Sequence, residues 1–358
     1  MVTPHPANIH ARYARLYSVP GMILDVCLRS DPQWIALSDH KDPVTPAGIA
    51  DVVQRGSFVM ELASPKQGMA VLLDYKSDAG WPRAFSIFQD ANAGLIVLHR
   101  QADSLMRHHL PGPLPQEWDL ARLTYAWDGP ARIWSLRLED CAGTWVHQMQ
   151  GINPIPMAGA DIAALCAGQN VTRKDVSVHW FGVCLQTCTP QPVGWIGKRC
   201  PVDAGRGPIA AEDLRPGDLV VTRDNGPQTL HAVHHMTVPN RGRFAPMLLR
   251  APYFARASDL LVSQGQLTLL TGAAVEYLFG EDAVLAPAAA LRDGNSALPD
   301  TRRQLTACVA LDLGAPNLIL ADGCPLLCGD ASGPLPYRLL QDYEALSLTG
   351  GGRHLSAA

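Results

Sequence analysis

From residue 21 onward the chain alternates short apolar runs with polar punctuation. The runs in the first half are MILDVCL, SFVMELA, MAVLLDY, AFSIFQ, GLIVLHR, ARLTYAW and ARIWSLRLE. Each has the length of a strand, and an alternation of period two sends successive side chains to opposite faces of a sheet. Two hairpins are signalled between runs, at Asp90-Ala-Asn-Ala-Gly94 and at Trp127-Asp-Gly-Pro130, where Asp, Asn, Gly and Pro supply turn geometry. Helical periodicity is scarce. DIAALC (Asp161–Cys166) suits one turn in a loop, DAVLAPAAAL (Asp282–Leu291) is interrupted by Pro287, and Pro336–Leu348 suits a terminal helix. Many antiparallel strands without helices close into two stacked sheets, so residues 22–185 are expected to form an antiparallel β-sandwich of jelly-roll type. Residues 1–21 read as an N-terminal extension and 186–193, which carry prolines after the apolar strand VSVHWFGVCL, as a linker.

The second half, 194–345, keeps the β texture with a different rhythm. A Pro-Gly turn precedes the strand LVVT and an Asp-Asn-Gly turn. APMLLR, DLLVS, LTLL, LTACVALDL and NLILADG follow as further strands. The fold class is therefore all-β in both halves, with 346–358 as a frayed tail rich in glycine and small residues.

Composition narrows the function classes. At 358 residues the chain is long enough for about two domains. Its 31 glycines and 29 prolines exceed average usage and fit a turn-rich β protein. Hydrophobic residues make up 47% and charged residues 17%, which excludes disorder by low hydrophobicity. The net charge of -4, with no basic block to neutralise phosphates, argues against nucleic acid as a partner. No apolar run approaches the ~20 residues of a membrane helix. Residues 1–20 show no apolar h-region, which points to a cytoplasmic location unless export follows a route without an N-terminal mark. Nine cysteines are an odd set and read as mostly reduced thiols.

The segments EDLRPGDLVVTRDNGPQ, DLLVSQGQLTLL, EYLFGEDAVLAPAAAL and NLILADG, in that order between Gly194 and Gly329, resemble the Hint domain of inteins, Hedgehog autoprocessing domains and many bacterial proteins. The first half, ending in VSVHWFGVCL, resembles a laminin-G or concanavalin-like sandwich. The Hint resemblance implies self-cleavage chemistry. A Cys or Ser attacks the preceding peptide carbonyl, an N–S or N–O acyl shift, while a His protonates the departing amide nitrogen. The family places the nucleophile about seventeen residues before the Glu of its EDLxPGD run, and from Glu212 that position is Trp195. The His is expected in a Ser-Pro-x-His segment, here Ser263-Gln264-Gly265-Gln266, and a further His corresponds to Pro316. An indole and an amide perform neither role, so the resemblance implies a catalytically degenerate domain acting as a binding or structural module. The alternative is a domain that still cleaves itself, with Cys200 or Cys188 brought to the nucleophile position by a shifted gap. That requires thiol, carbonyl and acid to be positioned together. Cys200 reads more simply as a small buried thiol.

Other constellations are weaker. Cys184–Cys188 and Cys324–Cys328 are C-x3-C pairs whose spacing suits zinc, but no glycine-rich knuckle accompanies them, and buried thiols are the simpler expectation. The adjacent pairs His108-His109 and His234-His235 point to opposite faces on a strand and do not readily share a metal. They are expected at the surface or in hairpins. Asp74, Asp90 and Asp128, on or beside strand ends, are candidates for calcium as in lectin-like folds, set against roles as turn-forming or solvated carboxylates. No other cofactor is implied. Six of the eight tryptophans fall between Trp81 and Trp180. They supply core, or a face on which a glycan ligand stacks. A glycan or protein partner for the sandwich is thus the third reading of function.

Overall fold

A computed structural model describes residues 33–38, 49–64, 69–186, 194–255, 257–329 and 334–349. The chain divides into two units, one spanning Pro32–Thr189 and one containing Pro190–Ala358. Both are built mainly of antiparallel strands, as the alternation predicts, the pairing of Ala283–Pro287 with Arg338–Leu339 in the second unit being parallel. No helix among the described residues is long and apolar enough to cross a membrane.

The first unit is a sandwich. One sheet runs, in spatial order, Trp34–Leu37, Val178–Cys184, Arg55–Leu62, Ala121–Asp128, Ile133–Asp140 and Val146–Ile152. The other runs Val171–Lys174, Ala70–Ser77, Arg83–Asp90, Gly94–Gln101 and Ser104–Pro111. Period two decides which side chains meet between them. Phe58, Met60 and Leu62 join Leu123, Tyr125, Trp127, Phe85, Ile87 and Val97 in one core, while Ser57, Val59 and Glu61 take the opposite face. Both expected hairpins are present, with Asp90 paired to Gly94 and Asp128 to Ile133. Gly94 has φ 100, and a Cβ there would collide with the Leu110 carbonyl oxygen, so only glycine fits that turn. DIAALC extends to a two-turn helix, Gly159–Cys166, because Ile162, Leu165 and Cys166 bury against the core. The run MILDVCL lies outside the described residues.

In the second unit a six-stranded sheet orders Ala232–Pro239, Leu305–Asp312, Ile196–Gly197, Leu260–Val262, Met247–Leu249 and Ala297–Pro299. A nine-stranded sheet contains Pro201–Ala204, Leu219–Thr222, Asn317–Ala321, Cys324–Cys328, Leu267–Thr271 and Ala283–Pro287 among its members. A core of Ile196, Val202, Val220, Leu249, Val262, Val284, Val309 and Ile319 fills the unit. The helix expected over Asp282–Leu291 is instead the strand Ala283–Pro287 followed by a short 3-10 turn, Ala288–Leu291. Val284 and Leu285 pair with Leu270 and Leu269, and sheet pairing overrides the local helix propensity of the alanines. A short helix at Ala273–Phe279, carrying no strong sequence signal, bridges the two strands of that pair. Toward the end of the chain the strand Arg338–Leu339 precedes a helix at Asp342–Thr349.

Candidate functional site

Two-residue strand Ile196–Gly197 threads the second unit, with Ile196 paired to Val262 on one side and Val309 on the other. This lays Trp195 beside the loop that follows Leu260–Val262. The Ser263 N–H donates to the Trp195 carbonyl at 2.9 Å, and the Ser263 hydroxyl accepts from the Gly194 N–H at 3.0 Å. Trp195 is 1% exposed, and its indole Nε1 is buried without a hydrogen-bond acceptor.

Gln266 closes the same loop. Its N–H donates to the Ser263 carbonyl at 3.1 Å, and its own carbonyl accepts from Ala288 at 2.9 Å. The side chain is equally buried. Nε2 donates to the Leu327 carbonyl at 2.7 Å and to the Leu267 carbonyl at 3.2 Å, while Oε1 is buried without a partner. Gln266 therefore ties the loop to the strand Cys324–Cys328. Gln264 anchors the other end of the loop by donating to the Gly242 and Ala245 carbonyls. Pro316 is half-buried in the turn before Asn317–Ala321, and the backbone of Gly329 packs against the Ala315–Pro316 link. Trp195 and Gln266 thus flank Ser263, and each is held by backbone contacts.

Cys200 is 5% exposed and belongs to the core of the second unit. Its carbonyl accepts from the Ala211 N–H at 2.9 Å. Cys188 lies outside the described residues. Cys324 and Cys328 are buried in one strand, Cys324 with Thr268 Oγ1 at 3.4 Å from its sulfur. Burial pushes the Cys328 thiol up to about 12.

The three aspartates proposed for calcium occupy separate local structures. Asp74 accepts from the hydroxyls of Ser86 (2.6 Å) and Thr172 (2.5 Å) and pairs with Lys76 at 2.9 Å. Burial works against ionisation of Asp74, but those bonds outweigh it and hold its carboxyl below the usual range. Asp90 caps its hairpin by accepting from the Asn92 and Ala93 N–H groups. Asp128 accepts from the Ala131 N–H and pairs with Arg55. Among the described residues no group of three or more His, Cys, Asp or Glu is placed to hold a metal ion. His108 is fully buried, with Nε2 3.0 Å from the Tyr125 hydroxyl, unlike the surface position expected of it, whereas His109 reaches the Ala93 carbonyl.

One feature of the sandwich has no signal in the sequence. Asp161 is 4% exposed and accepts from Tyr75 Oη (2.7 Å), Arg83 Nε (2.9 Å) and Gln101 Nε2 (3.4 Å). Arg83, fixed in this way and by Ser77 and the Ala79 carbonyl, lies 5.2 Å from the Trp81 ring. The Trp81 Nε1–H donates to Gln101 at 3.4 Å, and the ring remains 51% exposed. The other tryptophans of that stretch bury: Trp118, Trp127 and Trp180 are in the interior, and Trp134 and Trp145 pack against the core.

The sandwich is similar to the carbohydrate-binding module CBM40 of a Ruminococcus gnavus IT-sialidase. The two are 10% identical over 45% of this chain and 92% of that one, with a TM-score of 0.29. A SAP-like pentraxin from Limulus polyphemus is 9% identical over 41% of this chain and 58% of that one, with a TM-score of 0.22. The MchDnaB-1 intein is 14% identical over 37% of this chain and 99% of its own, with a TM-score of 0.27. No curated protein matches the chain. The family model described as Hint domain matches residues 196–326. With its order of motifs and its largely antiparallel body, the second unit of this chain carries a Hint domain over residues 196–326.

Proposed function

We propose that this Hint domain does not cleave its own backbone and serves as a binding or structural module joined to a ligand-binding sandwich. One observation carries the reading. Acyl transfer needs a thiol or hydroxyl next to the upstream carbonyl and an imidazole to protonate the leaving nitrogen. Trp195 brings a buried indole to the first position and Gln266 an amide, engaged with the Leu327 carbonyl, to the second. Neither group titrates near neutral pH. The self-cleaving alternative would have to act through Cys200, which packs in the core, or Cys188. Purified full-length chain incubated with dithiothreitol or hydroxylamine is expected to stay at its intact mass of 38.6 kDa. Trapped fragments meeting at residue 188 or 200 would overturn the reading. Loss of those fragments in Cys200→Ala would identify the nucleophile.

A second reading concerns the sandwich and rests on Trp81. Its ring has one face on a guanidinium and its indole N–H bonded, so its orientation is set before any ligand arrives, which lowers the entropy cost of stacking on a sugar. We propose that Trp81 is the stacking platform for a glycan. A glycan array with the wild-type chain, run with and without calcium, is expected to give hits that Trp81→Ala abolishes. No binding in either condition, or hits that Trp81→Ala retains, would refute it.

A further inference from the structure

The two sheets of the sandwich have four edge strands, and three are protected. Trp34–Leu37 is buried throughout. Val171–Lys174 ends in Arg173 and Lys174, and Ser104–Pro111 carries Arg107 and closes on Pro111, the devices that keep sheet edges from pairing with other chains. The fourth, Val146–Ile152, has none of them. Its sequence VHQMQGI contains no Asp, Glu, Lys, Arg or Pro, and among the described residues it pairs with one neighbour only, Ile133–Asp140. Val146, Met149 and Ile152 are 50%, 41% and 68% exposed. Ile133, paired with Ile152 in the register of the sheet, is 54% exposed and widens the apolar end.

The order of residues in this strand identifies what fits it. Read from either end, VHQMQGI presents an apolar β-branched residue, a spacer, glutamine and then methionine. Antiparallel pairing of the strand with itself about Met149 sets Val146 opposite Ile152, His147 opposite Gly151 and Gln148 opposite Gln150 of the second copy. Opposed residues share a face. The exposed aliphatic pairs then cover each other at both ends, the glutamine amides meet, and the methionines meet at the axis. Moving the axis to Gln148 would oppose Val146 to a glutamine, and a one-residue slip would oppose Val146 to Gly151, so a single register satisfies the strand. We propose that Val146–Ile152 is a self-association edge. Two copies join there about a two-fold axis at Met149, and their six-stranded sheets become one continuous antiparallel sheet. The same surface patch serves both partners, as closed two-fold assembly requires.

Sedimentation of the full chain over a concentration series tests this. The wild type is expected to be a dimer that dissociates on dilution. Met149→Lys places two like charges directly opposite at the axis and should weaken dimerisation by about tenfold or more. Met149→Cys should form a covalent dimer under mild oxidation, with peptide mapping locating the link between the two copies of position 149. This second variant decides the matter if the lysine variant fails to fold. A monomer at every concentration would overturn the proposal, including the case in which the edge takes an extended segment of a different protein. So would a dimer that Met149→Lys leaves unchanged and that Met149→Cys does not link.

Discussion

Acidification from pH 7 to pH 5 is expected to destabilise the sandwich by about 4 kcal/mol, through two buried histidines. Burial lowers the pKa of His99 from 6.5 to about 3, helped by the proximity of His108 and partly offset by a backbone hydrogen bond with Ile155. Burial lowers that of His108 from 6.5 to about 4. His99 packs edge-on to Phe85 and lies 3.4 Å from the Gln101 amide, and His108 meets Tyr125 and Trp134. Because the folded values are depressed, the full stability is present above pH 6.5. It is lost as pH falls, since the unfolded chain takes up protons that the folded chain refuses. Each group then contributes a slope of ~1.4 kcal/mol per pH unit until its folded value is reached. At pH 5, about 1.5 units below 6.5, the two together give the 4 kcal/mol, a large share of the ~5–15 kcal/mol that holds a domain. Asp74 and Asp175 have folded values below 3.8, so their loss begins at more acid pH and leaves this window to the histidines. Urea unfolding of the full chain, followed by hydrogen exchange in peptides from Gly94–Gln101 and Ala121–Asp128, measures the slope. His108→Gln keeps an acceptor for the Tyr125 hydroxyl and should halve the slope. A flat stability between pH 7 and pH 5, or an undiminished slope in the variant, would refute the reasoning.

Three shorter predictions accompany it. Arg122 donates to Glu61 at 2.7 Å, Trp180 also donates to Glu61, and both charged side chains are almost wholly buried. Arg122→Met should therefore cost ~3–5 kcal/mol in urea unfolding, and adding Glu61→Leu should restore most of the loss, because the expense lies in an uncompensated charge. Gly94→Ala should destabilise by ~1–3 kcal/mol from its positive φ and the Leu110 carbonyl oxygen, read as a lowered melting temperature. With its thiol near 12, Cys328 holds about one part in ten thousand as thiolate at pH 8, so mass-mapped alkylation of the folded chain should leave it unmodified; labelling as fast as in urea would contradict its burial.

The strands with strong alternation were legible, and those without it were not. SFVMELA, MAVLLDY, AFSIFQ, GLIVLHR, ARLTYAW and ARIWSLRLE each match a strand of the sandwich to within one or two residues. Ser104–Pro111 and Val146–Ile152 carried no such signal, because an edge strand buries little and its composition can be polar. Pro287, read as an interruption of a helix, ends a strand. In the Hint domain the assignment of Trp195 rests on spacing from Glu212 and that of Gln266 on the order of segments, both properties of chain order. The Gln266 tie to Leu327 joins residues 61 positions apart, and the Asp161 contacts join residues 60 to 86 apart. Composition and periodicity hold no record of such meetings, so the rigid seating of Trp81 emerges only in three dimensions.

The last strand of the sandwich, Val178–Cys184, lies between Trp34–Leu37 and Arg55–Leu62, the earliest long strands in the unit. During synthesis on a ribosome, the slot between those two segments stays open until nearly the whole unit has left the exit tunnel. A nascent chain halted before Val178 therefore lacks an interior member of its sheet rather than a dispensable end. Completion of this domain is consequently a late event, closing only as the Hint domain begins to emerge behind it.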